Sequence, residues 1–218
     1  MVTPQFQHKT PSLTFISSNA WLQVSGTHAP KVWIVGDDLV CQLAKHAVES
    51  GAGMSLGLEA AGLRVRWIAN KSHTLSTGMK ALFRELDSAT QPPSAIITHL
   101  GITDIGSTPH HKLRACLHKC QKQLSIAHPQ VRWIWCNIPP PLSVPEARSP
   151  KRLDKMRQRV NNLAGKLAIA GGGAQLPAPF ESAKDNYVLG ESNMLNGTAL
   201  EKMLASWVTH MPSALSQQ

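Results

Sequence analysis

Four carboxylates stand where a chain can place reactive groups. Asp37 and Asp38 follow the apolar run at residues 32–35 and Gly36. Asp104 closes Gly101-Ile102-Thr103-Asp104, and Glu191 opens Glu191-Ser192-Asn193-Met194-Leu195-Asn196. Gathered at one edge of a sheet, such carboxylates can bind magnesium or calcium through oxygen. They can equally divide into an acid and a base whose pKa values are driven apart. The plainer expectation is that Asp37 and Asp104 cap helices or brace turns after their strands. His73 and His99 also fall at strand ends, where a histidine pair can act as base or metal ligand. A hydrogen-bonded structural role is the expectation for each, and His110 and His111 read as an exposed loop or helix start.

The cysteines add no second site. Cys41, Cys116, Cys120 and Cys136 show no framework spacing. Cys116 and Cys120, one helical turn apart, make half a metal site with no second pair to complete it. Free thiols are expected, with no metal and no cofactor.

Positioning these residues requires an alternation of strand and helix. Residues 32–35 are an unbroken apolar run, as in a strand buried on both faces. Residues 39–49 follow with Val40, Leu43 and Val48 near helical spacing, and Gly51, Gly53, Gly57 and Gly62 mark a loop. Residues 63–68 alternate apolar and basic, which predicts a strand near an edge with one more exposed face. A helix over 76–86, a buried strand over 94–100, a helix over 112–126 and a strand over 131–138 come next. Ser149 is positioned to cap, and Pro150 to open, a helix running to about residue 170. A short strand over 174–176 and a last helix over 198–209 complete the pattern. Strand and helix alternate about five times, which predicts an α/β fold with a central parallel sheet of about five strands between helical layers. Ligands bind beyond the carboxyl ends of such strands, where Gly36, Asp37, Gly101 and Asp104 are expected to line a cleft.

Composition narrows the class. A hydrophobic content of 42% suits a full core. No run of about 18 apolar residues predicts a membrane span. Ser17, Ser18 and Asn19 interrupt the apolar stretch near the start, a poor signal peptide, so an intracellular, cytoplasmic protein is expected. Residues 1–29, rich in Pro, Ser, Thr and Gln, read as a tail, 30–211 as the domain and 212–218 as a second tail. Twenty-two Lys and Arg against thirteen Asp and Glu give a net charge of +9 and a pI near 9.7, a balance that favours polyanionic partners.

In order, the strand exits resemble the sequence blocks of the SGNH, or GDSL, hydrolase superfamily. Its first block, Gly-Asp-Ser-Leu, is Gly36-Asp37-Asp38-Leu39 here. Its Gly-x-Asn-Asp is Gly101-Ile102-Thr103-Asp104, and its Asp-x-x-His-Leu-Asn aligns with the stretch from Glu191 to Asn196. The glycine after the second strand corresponds to Lys71 or, by preference, Ser72. His99-Leu100-Gly101 and Arg148-Ser149-Pro150 bring the chain nearest to SGNH-type esterase domains encoded in vertebrate retroelements. The resemblance covers about residues 31–210 and implies a flavodoxin-like three-layer fold, cleavage of acyl or acetyl esters and a small acyl ligand in the cleft. Val35-Gly36-Asp37-Asp38 also resembles a late motif of haloacid-dehalogenase-type phosphatases. That family needs an earlier Asp-x-Asp strand, and no aspartate occurs in the preceding residues.

All four residues that name the SGNH family are replaced. Asp38 holds the nucleophile position, and a carboxylate attacking an ester would form an anhydride. Ser72 or Lys71 replaces the glycine whose N–H helps build the oxyanion hole, and Thr103 replaces its asparagine donor. Met194, a thioether that takes no proton near neutral pH, replaces the base. Losing nucleophile or base costs about 10⁶ in turnover in serine proteases, and an oxyanion donor about 10² to 10³. The resemblance therefore implies a pseudo-esterase of retroelement origin, with Asp38 and Glu191 as drift at a relaxed site. An active hydrolase using the acidic residues is the alternative.

The helix after Pro150 supports a third reading. Leu153, Met156, Val160, Leu163 and Leu167 share one face, and Lys151, Arg152, Lys155, Arg159 and Lys166 gather on the other. Lys112, Arg114, Lys119 and Lys122 form a second basic group on the preceding helix. Such stripes are most simply solvated faces, but they also suit non-specific contact with nucleic-acid phosphates. Trp33, Trp133 and Trp135 fall within strands and are expected in the core rather than as base-stacking platforms.

Overall fold

The uninterrupted apolar run at the start of the domain becomes the central strand β1, Val32–Gly36, buried along its whole length. The computed structural model describes residues 32–140, 149–179 and 195–216. After β1 come α1 (Asp38–Glu49), β2 (Val65–Ala69), α2 (Leu75–Ser88), β3 (Ala95–His99) and α3 (His110–Ala127). Then follow β4 (Arg132–Cys136), α4 (Pro150–Ala170), β5 (Ala174–Leu176) and α5 (Gly197–Ser216). The strands form one sheet in the order β2-β1-β3-β4-β5, and every pairing is parallel. This is the α/β architecture with a central parallel sheet that the alternation predicts, in the flavodoxin-like form that the family resemblance implies.

Side-chain alternation along each strand divides the core in two. Val32, Ile34, Trp67, Ile97 and Ile134 face α1 and α5. Trp33, Val35, Ile68, Ile96, Trp133 and Trp135 face α2, α3 and α4. Those three predicted core tryptophans are all buried. Gly36 is in register with Ala69 on one side and His99 on the other, so the three strands end level. The chain passes from β1 to one neighbour, β2, and then returns to the other side as β3. That reversal opens a crevice between the exits of β1 and β3.

Local differences from the sequence expectation have physical causes. β2 is an edge strand, but its alternating arginine does not simply face water. The Arg66 guanidinium sits 4.9 Å over the Trp33 ring and donates to Glu85 Oε2 at 2.6 Å. The glycine loop contains a 3-10 turn, Leu58–Ala61, entered and left through left-handed Gly57 and Gly62. Ser149 occupies the cap position of α4, yet its hydroxyl makes no capping bond, and Pro150 alone shapes the first turn. On α4 the buried stripe is narrower than the leucine pattern suggests. Leu153, Val160, Asn161, Ala164, Gly165 and Ala168 are buried, while Met156, Leu163 and Leu167 are only partly covered. Small residues there let α4 approach the sheet closely. The last helix continues beyond 209 to Ser216.

Candidate functional site

The first wall of the crevice is the turn from β1 into α1. Gly36 is required by packing, because a Cβ there would lie 1.9 Å from Val40 Cγ2 and 2.9 Å from the His99 carbonyl oxygen. Asp37 caps α1, its Oδ1 accepting from the Leu39 N–H at 3.2 Å, and it is fully buried. Asp38, one residue on, belongs to the first turn of α1 and is 40% exposed. Its Oδ2 accepts from Gln42 Nε2 at 3.0 Å, and its Oδ1 lies 4.0 Å from Lys71 Nζ.

The second wall follows β2. Asn70 bends the chain through its side chain, whose Oδ1 accepts from both the Ser72 N–H at 3.0 Å and the Ser72 hydroxyl at 2.8 Å. The Asn70 N–H in turn donates to the Gly36 carbonyl. His73 Nδ1 lies 3.0 Å from the same carbonyl, which can only accept, so the imidazole donates through that nitrogen. Neither Lys71 nor Ser72 has a positive φ. The chain passes both positions in an ordinary conformation, so their side chains carry no backbone strain.

The third wall follows β3. Gly101 has a φ of +103°, a region that favours glycine. Thr103 is exposed, and its hydroxyl donates to the His73 carbonyl at 3.4 Å. Asp104 is buried and fully engaged. Its Oδ2 accepts from the Leu75 N–H at 2.7 Å, and its Oδ1 accepts from the Thr108 hydroxyl at 2.8 Å. It ties the exit of β3 to the start of α2.

Contacts therefore link the three exits. Asp38 reaches Lys71, Thr103 reaches the backbone of His73, and Asp104 holds the first turn of α2. Glu191 and Met194 lie outside the described residues. Among the described residues no group of three or more His, Cys, Asp or Glu side chains comes together to hold a metal ion.

His99 departs from the hydrogen-bonded role expected of it. It is fully buried, its ring centroid 6.4 Å from that of Trp207. Neither ring nitrogen makes a hydrogen bond. Its Nδ1 stands 3.8 Å from Asp37 Oδ1, beyond hydrogen-bond range. Two positioning residues escaped the sequence reading. Asn70 shapes the second exit. Asn161 takes Trp135 Nε1 and the Ile138 N–H on its Oδ1 and donates Nδ2 to the Ile138 carbonyl, fixing the exit of β4. A lone asparagine after an apolar run is the only signal for the first, and a polar residue inside the α4 stripe the only one for the second.

The electrostatics of the first turn register on Cys41, a free thiol like the other three cysteines. Burial, then the neighbouring Asp38 and Asp37 carboxylates, push its pKa up to about 11.

The Asp38 carboxylate is held by Gln42 and faces the Lys71 ammonium. The Ser72 N–H is committed to Asn70, and the Thr103 hydroxyl points back to a backbone carbonyl.

Comparison with solved structures finds the same fold in several other proteins. A GDSL-like lipase from Bacteroides thetaiotaomicron superposes with a TM-score of 0.61 at 11% identity, over 84% of this chain and 88% of that one. The psychrotrophic esterase EstA from a Pseudoalteromonas species gives 0.60 at 15% identity, covering 84% and 96%. AlinE4, an SGNH-hydrolase family esterase, gives 0.53 at 16% identity, covering 88% and 99%. No family model and no curated protein sequence matches the chain. At these identities the likeness is one of fold: an SGNH-hydrolase-like α/β domain.

Proposed function

We propose that the chain is a pseudo-esterase of retroelement origin, an SGNH-like domain whose cleft no longer turns over esters. The cleft is then a binding or vestigial surface whose ligand, if retained, is a small acyl compound. One observation carries this reading: Asp38, at the nucleophile position, is bonded to Gln42 and faces Lys71. The Ser72 amide, spent on Asn70, supports it. The retroelement origin is supported by His99-Leu100-Gly101 and Arg148-Ser149-Pro150. A cytoplasmic location is supported by four free cysteines, which suit a reducing compartment.

Short-chain aryl esters test the proposal. The expected result is hydrolysis at the uncatalysed rate, unchanged in Asp38→Ala. Turnover that disappears in Asp38→Ala would instead establish an active hydrolase built on an acidic site. Asp38→Ser combined with Met194→His is expected to restore measurable esterase activity, because those two losses are the costliest.

A second reading concerns the surface rather than the cleft. The basic stripe on α4, comprising Lys151, Arg152, Lys155, Arg159 and Lys166, is exposed along its whole length. It supports a role as an accessory protein held on nucleic-acid phosphates. Among the described residues no helix is long and apolar enough to cross a membrane.

A further inference from the structure

Helices α3 and α4 are neighbours in the layer that covers one face of the sheet. Together they hold ten of the chain's 22 Lys and Arg and one of its 13 Asp and Glu. That excess of nine equals the net charge of the whole protein, so the remainder, with twelve of each sign, is balanced. The one carboxylate is already used. Asp154 Oδ1 accepts from Arg157 Nε at 2.7 Å, and Arg157 also donates to the Ile138 carbonyl at 2.9 Å. The other nine cations are Lys112, Arg114, Lys119 and Lys122 on α3, with the five of the α4 stripe. All nine are exposed, and among the described residues none is held in an ion pair.

We propose that α3 and α4 form a single docking face for the phosphate backbones of duplex nucleic acid, bound without regard to sequence. The proposal rests on the nucleic-acid reading of α4 and deepens it, since half of the surface then belongs to α3. Helices of 18 and 21 residues run for about 27 and about 31 Å, and packed helices lie about 8–10 Å apart. Duplex DNA carries one negative charge per about 1.7 Å of its axis, so a face of this length meets many phosphates at once. Concentrating the cations here, rather than scattering them, makes the field strong on one side and weak elsewhere.

The same face argues against other polyanions. Neither helix contains Phe, Trp or Tyr, so it offers no platform on which unpaired bases stack. Backbone contact with a duplex remains. An acidic membrane also attracts lysines, but interfacial binding grows with inserted apolar area. Large exposed apolar residues among the described ones are only Ile126 and Ile169, near the ends of these helices.

The test is fluorescence anisotropy with the full chain and labelled mixed-sequence RNA and DNA duplexes, in salt from about 50 to about 200 mM. Two duplexes of unrelated sequence are expected to bind equally. The double variants Lys119→Gln/Lys122→Gln and Lys155→Gln/Arg159→Gln should each weaken binding and each reduce the log–log salt slope by about 2. Lys45→Gln, on the opposite helical layer, should change neither. Circular dichroism and thermal unfolding of each variant establish that folding is intact.

If only the α4 pair matters, the two-helix face is wrong while the α4 reading survives. If the wild-type chain binds no nucleic acid at the lowest salt, both fail. Tighter binding to single strands than to duplexes, or to phosphatidylserine vesicles in place of nucleic acid, overturns the choice of partner.

Discussion

Two sets of residues share the turns at the carboxyl edge of the sheet, and burial separates them. Gly36, Asp37, Gly101 and Asp104 match the SGNH pattern and are all buried. Asp38, Ser72 and Thr103, beside them, reach solvent to different degrees. The first set is the frame. Asp104 accepts two hydrogen bonds, Asp37 caps a helix, and the two glycines stand where a side chain meets a neighbour or a left-handed backbone. The second set is a rim whose side chains make partly exposed contacts that many polar residues could replace. The fold needs the frame whatever the rim does, so rim residues can vary without loss of the architecture.

Removing a frame residue should have the largest effect on stability. Asp104→Ala leaves the buried Leu75 N–H without an acceptor and is expected to destabilise the protein by about 2–3 kcal/mol, measured by urea denaturation. A loss below about 0.5 kcal/mol would erase the distinction between frame and rim.

An intermediate effect is expected through Cys41. Burial holds its thiol high, and the Asp38 charge raises it further. Asp38→Asn removes that charge, lowers the pKa and enlarges the thiolate fraction at any fixed pH below it. Because the thiolate is the reactive form, iodoacetamide labelling of Cys41 at mildly alkaline pH should accelerate severalfold, as followed by peptide mass spectrometry. An unchanged rate would mean that Asp38 points its charge elsewhere.

The smallest effect belongs to the rim residue in stability alone. The Asp38 contacts are an intrahelical hydrogen bond from the Gln42 amide and a 4.0 Å ion pair to a largely exposed lysine. Asp38→Ala should therefore shift unfolding by no more than about 0.5 kcal/mol. A cost of several kcal/mol would move Asp38 into the frame.

Much of this could be anticipated residue by residue. Apolar runs broken by Gly36 and Gly101 marked the strands, and Pro150 marked the start of α4, because these residues act on the local backbone wherever they occur. The spacing of Gly36-Asp37 and Gly101-x-x-Asp104 located two of the strand exits for the same reason. His99 was misjudged because hydrogen bonding at a strand end depends on what covers it, and Trp207 arrives from the far end of the chain. The Asn70 turn and the Asn161 clamp were missed because an asparagine's partners are not written beside it.

The sequence by itself determined an alternating parallel α/β chain, the paired aspartates Asp37 and Asp38 after the first apolar run and a net charge of +9. Those follow from composition and short-range pattern. Tertiary structure alone decided the strand order that opens the crevice between β1 and β3, and the facing of Asp38 by Lys71. It also set the basic helices α3 and α4 side by side while neutral balance holds elsewhere. Each of these depends on which distant segments pack together, and that is governed by the burial of apolar faces rather than by the polar residues whose chemistry they bring together.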